Sequence, residues 1–204
     1  LVANLMQTAG ANRALCVDLH AGQIQGFFDI PMDHLTAIPL MGNALKAKGL
    51  QGSDIVVVSP DVGGVGRARA LAEQLNASLA IIAKRRPEPN QVEILEVVGD
   101  IKGRVCIMAD DMIDTGGSIV QGAEKLLERG ALEVHACCIH GVLSGHALED
   151  VNKSCLSSLM VTDTIPLPTT GPREKVQVIS VAELIGEAID RIHTNRSVSE
   201  IFRR

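Results

Sequence analysis

Apolar residues return along this chain with two different periods. Short runs rich in β-branched residues, such as Ile55-Val56-Val57-Val58, recur from Ala14 onward, and longer segments between several of them bring an apolar residue round every three or four positions. The short runs predict strands over 14–18, 54–59, 78–83, 92–98, 104–109, 133–139 and 157–162, and the longer ones predict helices near 36–49, 65–76, 117–129, 144–152 and 181–194. In the third of these helices Ile119, Val120, Ala123, Leu126 and Leu127 share one side, while Gln121, Glu124, Lys125 and Glu128 take the other. Gly130 then stands where a left-handed C-terminal cap is expected. A second stripe, Leu184, Ile185, Ala188, Ile189 and Ile192, reads as core or as a docking face. Strands alternating with helices predict an α/β fold, its mainly parallel sheet flanked by helices.

Residues 164–175, TIPLPTTGPREK, gather turn formers and breakers and read as a surface connection. The first residues look like the interior of a helix and no initiator Met precedes them, so a fragment is expected.

Composition narrows the classes. With 204 residues, 46% of them apolar, the chain can bury a core as one large or two small domains. The 19 basic and 24 acidic residues leave it mildly negative, which gives no basic field for nucleic acid or an anionic membrane. Three Phe, without Trp or Tyr, leave no stacking platform for single-stranded nucleic acid. No apolar run approaches the roughly 20 residues of a membrane span, and the start lacks the charged and apolar regions of a signal peptide, so a soluble protein is expected. Cys16, Cys106, Cys137, Cys138 and Cys155 lie mostly in apolar stretches without CxxC spacing, which reads as reduced core thiols in the cytoplasm.

The segment RVCIMADDMIDTGGS is expected to run strand, turn, helix, with the turn at the carboxyl end of a sheet strand, where open α/β folds bind ligands. Gly116 and Gly117 let backbone N–H groups converge, Thr115 and Ser118 add hydroxyls, and the helix start adds positive potential, which together suit phosphate. Asp110, Asp111 and Asp114 would repel phosphate yet accept from sugar hydroxyls, or hold magnesium through water. Helix capping alone accounts for one such residue and not for three acids beside a glycine pair.

DIVVVSPDVGGVGRAR repeats the arrangement with cations added: Asp61, Gly63 and Gly64 follow a buried strand, and Arg67 and Arg69 come next. That set suits a diphosphate carrying magnesium, although a tight turn would also explain it. AKRRPEPNQVEI places Lys84, Arg85 and Arg86 directly after an apolar strand and before Pro87 and Pro89. A solvated surface run is one reading; a cationic loop able to open and close over a phosphoryl-transfer site is the other.

The run DDMIDTGGS resembles the phosphoribosyl-diphosphate (PRPP) binding motif of the type I phosphoribosyltransferase fold. Together with CVDLHAGQIQGFFDIPMDHL, SPDVGGVGRAR, KRRP and the terminal SVSEIF, in that order over nearly the whole chain, the sequence resembles the ribose-phosphate diphosphokinase (PRPP synthetase) family. Membership would imply transfer of the diphosphoryl group of MgATP to the C1 hydroxyl of ribose 5-phosphate, giving PRPP and AMP. It would assign Mg2+ to His20 and Asp61, charge neutralisation to Lys84 and Arg86, and the pentose phosphate to Asp110, Asp111, Asp114, Thr115, Gly116, Gly117 and Ser118. Ser118 stands where Thr is commoner in that motif and keeps the hydroxyl.

The resemblance further implies that residues 1–35 end an N-terminal domain, 36–185 form the catalytic domain, and 186–204 pack back on the N-terminal domain or a neighbouring subunit. It implies a homo-oligomer, a hexamer in the family, with Gln25, Ser197 and Ser199 at a regulatory site for phosphate and ADP. Capping serines at an ordinary helix end would look the same. Two competing readings stay open: a phosphoribosyltransferase that consumes PRPP, and a non-catalytic regulatory homologue that assembles with active subunits.

Overall fold

The computed structural model describes residues 1–85 and 94–203. In chain order the elements are α1 (Val2–Thr8), β1 (Ala14–Val17), β2 (Met32–Leu35), α2 (Ile38–Ala47), β3 (Ile55–Ser59), α3 (Val65–Leu75), β4 (Ser78–Arg85), β5 (Ile94–Val98), β6 (Val105–Ile113), α4 (Gly117–Glu128), β7 (Glu133–Gly141), α5 (Ala147–Lys153), β8 (Ser158–Thr162), β9 (Val176–Ile179) and α6 (Ala182–His193). Two short 3-10 helices, Gly22–Phe27 and Val198–Arg203, complete the set. The chain divides into two compact units, Ile38–Ser180 and a smaller one made of Leu1–Ala37 with Val181–Arg204.

The larger unit is built on a seven-stranded sheet in the order β5-β4-β3-β6-β7-β8-β9, parallel at every pairing except β4 with β5. Within it, β3 runs Ile55-Val56-Val57-Val58 before Ser59 and is buried at all of its positions, which requires cover on both faces. One face carries Val56, Val58, Met108 and Cys138 against Ile119, Ala123 and Leu126 of α4 and Leu148 and Val151 of α5. On α3, Ala68, Leu71, Ala72 and Leu75 are buried where that helix packs on β3, β4 and β6. Parallel strands share a direction, so β3, β4, β6, β7 and β8 all end at one edge of the sheet. That edge carries the segments after Ser59, Ile113 and Gly141.

The smaller unit holds a parallel pair, β1 with β2, in register from Ala14 opposite Met32 to Val17 opposite Leu35. Directly after β1, Asp18 takes a left-handed φ of 40°. Its carboxylate accepts from the Thr36 hydroxyl at 2.9 Å and the Ala37 N–H at 2.6 Å, contacts that hold a residue where a side chain is strained.

Several elements differ from the sequence expectation for identifiable reasons. The strand expected over 78–83 continues through Lys84 and Arg85, because β5 supplies antiparallel partners Leu95 and Ile94. Lys84 and Arg85 therefore stand on a strand and not on a loop. β6 likewise runs past 109 and carries Asp110 and Asp111 within the strand, since β7 extends beside it as far as Gly141. The helix expected from 144 begins at Ala147. β2 and β9 were not foreseen; β2 (MDHL) and β9 (VQVI) are four residues each and too short to show a period.

Gly130 has φ 92°, as a left-handed cap requires. The stripe on α6 is only partly core: Ala188 is buried, Ile189 is 55% exposed, and the charged Arg191 is buried. Of the five cysteines, Cys106, Cys137 and Cys138 are buried, Cys16 is partly covered, and Cys155, expected in the core, is exposed in the turn after α5. Burial pushes the Cys106 thiol up to about 11. Among the described residues no helix is long and apolar enough to cross a membrane.

Candidate functional site

The larger unit has a depression of about 170 Å³ at the carboxyl edge of its sheet, lined in part by Asp110, Asp114, Thr115, Gly116, Gly117 and Ser118. Its floor follows from local structure. Gly116 adopts φ 80° and turns the chain from β6 into α4, which starts at Gly117 without a side-chain cap. The first N–H groups of a helix have no partner within it and carry the positive end of the helix dipole. Thr115, Gly117 and Ser118 are exposed beside them, and a Cβ added to Gly117 would meet nothing within 4 Å. Backbone donors open to solvent at a helix start make an anion site.

The two neighbouring aspartates differ. Asp110 lines the depression, whereas Asp111 is 3% exposed and does not. Arg67 from α3 stands against both, with Nη1 3.5 Å from Oδ1 of Asp110 and 3.3 Å from Oδ1 of Asp111. Asp110 Oδ1 also accepts the Asp111 N–H at 2.8 Å. Burial, the Asp111 side chain and its charge raise the Asp110 carboxyl to about 7, while the Asp111 N–H and Arg67 pull it down. Near neutral pH this group can therefore accept or donate a hydrogen bond to a sugar hydroxyl.

The turn after β3 is closed by its own side chains. Asp61 Oδ1 accepts the Gly64 N–H at 2.8 Å, and the Ser59 hydroxyl donates to the Asp61 carbonyl at 2.7 Å. A Cβ on Gly64 would come within 2.9 Å of Ser59 Oγ, so the second glycine is required by packing. Asp61 and Gly63 stay exposed. Because β3 and β6 are adjacent parallel strands, the Asp61 turn and the 114–118 nest leave neighbouring positions on one edge.

A family model described as phosphoribosyl synthetase-associated domain matches residues 86–203, more than half of the chain. The chain belongs to this family. It is 54% identical over 202 residues to a ribose-phosphate pyrophosphokinase of Fusobacterium nucleatum, covering 99% of this chain and 64% of that protein. It is 52% identical to the ribose-phosphate pyrophosphokinase of Bacillus subtilis, again over 99% of this chain but 63% of the relative. The chain thus spans just under two thirds of these curated relatives. The structure superposes with a TM-score of 0.88 on the phosphoribosylpyrophosphate synthetase of Mycobacterium smegmatis, at 40% identity, over 95% of this chain and 63% of that one. An APRTase from Giardia lamblia complexed with 9-deazaadenine shares the fold alone, with a TM-score of 0.50 at 17% identity over 61% of this chain and 76% of that one.

Within this family frame the remaining candidates fall as follows. Lys84 is next to last in β4, opposite Leu95, and Arg86 lies outside the described residues. Arg69 is exposed on α3. In the smaller unit His20 is exposed two residues past Asp18, and the Leu19 N–H donates to Nε2 of His34 at 2.8 Å, which fixes the turn that carries it. Gln25 donates to the Gly22 carbonyl at 3.0 Å and lies 3.4 Å from Nδ1 of His34. Ser197 and Ser199 share a hydrogen bond of 2.9 Å between their hydroxyls.

No group of three or more His, Cys, Asp and Glu side chains suited to a metal occurs among the described residues. The exposed Asp61 carboxylate beside backbone donors fits a magnesium ion that takes most of its ligands from phosphate oxygens and water. Sequence reasoning placed Arg67 near a diphosphate and missed its contact with Asp111; it gave no sign of Ser144, whose hydroxyl donates to Asp114 Oδ1.

Proposed function

We propose that the protein carrying this chain is a ribose-phosphate diphosphokinase, which transfers the diphosphoryl group of MgATP to the C1 hydroxyl of ribose 5-phosphate and yields PRPP and AMP. The observation that carries the reading is the placement, on adjacent parallel strands, of an open helix start after β6 and of an aspartate-bearing glycine turn after β3. A donor polyphosphate and a phosphorylated sugar acceptor need two such sites side by side.

In this reading the 114–118 nest takes the 5-phosphate, and Asp110 and Asp111 serve the 2- and 3-hydroxyls, Asp110 from the lining of the depression and Asp111 only on turning out from its buried place against Arg67. The turn at Asp61, Gly63 and Gly64 takes the diphosphate. Asp61 would hold the Mg2+ that, when bound, offsets the charge of the triphosphate, and the exposed His20 is kept as a metal-ligand candidate of the smaller unit. Lys84 and Arg86 neutralise charge on the transferred group. The C1 oxygen bonds to the β-phosphorus, the bond from that phosphorus to the oxygen shared with the α-phosphate breaks, AMP departs with the electron pair, and the hydroxyl proton is released. Alignment and fixed charge supply most of the acceleration in such transfers. A cytoplasmic homo-oligomer regulated by phosphate and ADP through Gln25, Ser197 and Ser199 belongs to the same proposal.

Incubation with MgATP and ribose 5-phosphate, followed by 31P NMR and separation of nucleotides, tests it. Equimolar AMP and PRPP are expected. Release of diphosphate from PRPP with a nucleobase would make the protein a phosphoribosyltransferase, and inertness toward both substrate sets together with binding to active subunits would make it a regulatory homologue.

A further inference from the structure

The chain does not run straight from β7 into α5. Residues 142–146 form a shelf under the 114–118 nest, and the shelf is held in an unusual conformation. Leu143 has φ 50° although it is not glycine, and Gly145 has φ 61°. A left-handed leucine is disfavoured, and it is retained here because its side chain, 1% exposed, is embedded in the core shared with Ala147 and Leu148.

With Leu143 so anchored, three donors of the shelf are aimed at the nest. The Leu143 N–H donates to the Ile113 carbonyl at 3.1 Å, and the Ser144 N–H donates to the Asp114 carbonyl at 3.0 Å. The Ser144 hydroxyl donates to Asp114 Oδ1 at 2.5 Å. The two backbone bonds fix the exit of β6, and the hydroxyl fixes the one carboxylate that lines the depression between Asp110 and the helix start.

That carboxylate is a hazard to an anion. Its χ2 rotation is soft, so without a partner Oδ1 can swing toward the N–H groups of residues 115–118, compete for them as a capping group does, and repel phosphate. A hydroxyl donor on Oδ1 opposes both effects by tethering that oxygen to the 142–146 shelf.

We propose that Ser144 is a positioning residue that holds Asp114 clear of the phosphate nest and thereby sets the affinity for a phosphorylated pentose. This rests on the function proposed above, and it adds a residue from a separate loop, 30 positions away in the chain, to the site.

The test uses the chain with Ser144→Ala and Ser144→Thr, ribose 5-phosphate as calorimetric ligand, amide hydrogen exchange without ligand, melting temperature, and kcat and KM in the full-length protein. Ser144 is exposed, so both variants are expected to fold. Ser144→Ala should bind ribose 5-phosphate at least tenfold more weakly and raise KM alike, with kcat within twofold, while Ser144→Thr restores binding to within threefold at an unchanged melting temperature. Exchange at residues 115–118 should fall at least fivefold in Ser144→Ala alone, because the freed Asp114 carboxylate caps those N–H groups. Equal binding by wild type and Ser144→Ala would overturn the proposal, as would a melting temperature that falls in step with affinity in both variants. If wild type binds no ribose 5-phosphate, the functional reading fails, and the exchange measurement alone decides whether Ser144 orders the nest: unchanged rates overturn that too.

Discussion

Arg67 and Asp111 meet at 3.3 Å, the arginine from the first turn of α3 and the aspartate from the buried face near the end of β6. One cation thus links the turn after β3 to the acids before the nest. Its guanidinium also reaches Asp110, so two carboxylates share a single positive charge.

Removing that charge should be costly. Arg67→Met leaves Asp111, only 3% exposed, without this cation, and breaking a buried pair typically destabilises by roughly 3 kcal/mol. Urea unfolding at neutral pH measures it; a loss of under about 0.5 kcal/mol would place the pair among weak surface contacts.

The same environment predicts a pH dependence. Asp110 is raised to about 7 from an ordinary 3.8, so the folded state holds its proton more tightly than the unfolded chain does. Its contribution to stability is fully present below about 4 and is lost as pH rises from there through 7. Because Arg67 lowers this value, Arg67→Met should move the Asp110 midpoint higher still. Carboxyl 13C NMR of selectively labelled protein reads both midpoints, and an unmoved midpoint would show that the contact is electrostatically silent.

Gly117 separates folding from binding. Its φ is not left-handed and a Cβ there meets nothing within 4 Å, so Gly117→Ala should leave stability equal or raise it by about 0.5–1 kcal/mol. If the helix start takes the 5-phosphate as proposed, the same methyl intrudes on it, and ribose 5-phosphate affinity should fall about tenfold or more, about 1.4 kcal/mol. Gly116→Ala should behave oppositely in stability, losing about 1–2 kcal/mol, because its φ is 80°. Calorimetry with melting curves on both variants checks the contrast.

The mainly parallel sheet, its alternation of strand and helix apart from β9, and the glycine turn into α4 were legible in the sequence, since long periodic segments and a glycine pair at a helix start carry their own local signal. Pairings across the chain were not. Nothing near Arg67 announces that it will turn to acids 43 and 44 positions later, and nothing in LSG announces that Ser144 will hold Asp114. The ends of β4 and β6 were misplaced for the same reason, because a neighbouring strand and not the local composition decides how far a ladder runs.

Lys84 offers a test of the chemistry. It sits near the end of β4, at the edge that also carries the Asp61 turn and the nest. If it neutralises the transferred diphosphoryl group, Lys84→Ala should lower kcat by on the order of 10³ and leave ribose 5-phosphate affinity nearly intact. Steady-state kinetics with less than a tenfold loss would remove it from the mechanism.

One buried arginine bonds the C-terminal segment to α6. Arg191 of α6 is 4% exposed, donates through Nε to Glu187 at 3.0 Å, and through Nη1 to Glu200 at 3.0 Å and the Ser197 carbonyl at 2.9 Å. Glu187 lies on the same helix, so only the latter two bonds hold the short helix at 198–203 and with it Ser197 and Ser199. Arg191→Met keeps an unbranched apolar stem at this buried position while deleting both. Amide exchange of residues 197–202 should then rise at least tenfold, with residues 185–190 of α6 still protected by their own ladder. Uniform protection in the variant would mean that packing, and not Arg191, orders the tail; equal loss in helix and tail would mean that the arginine supports α6 itself.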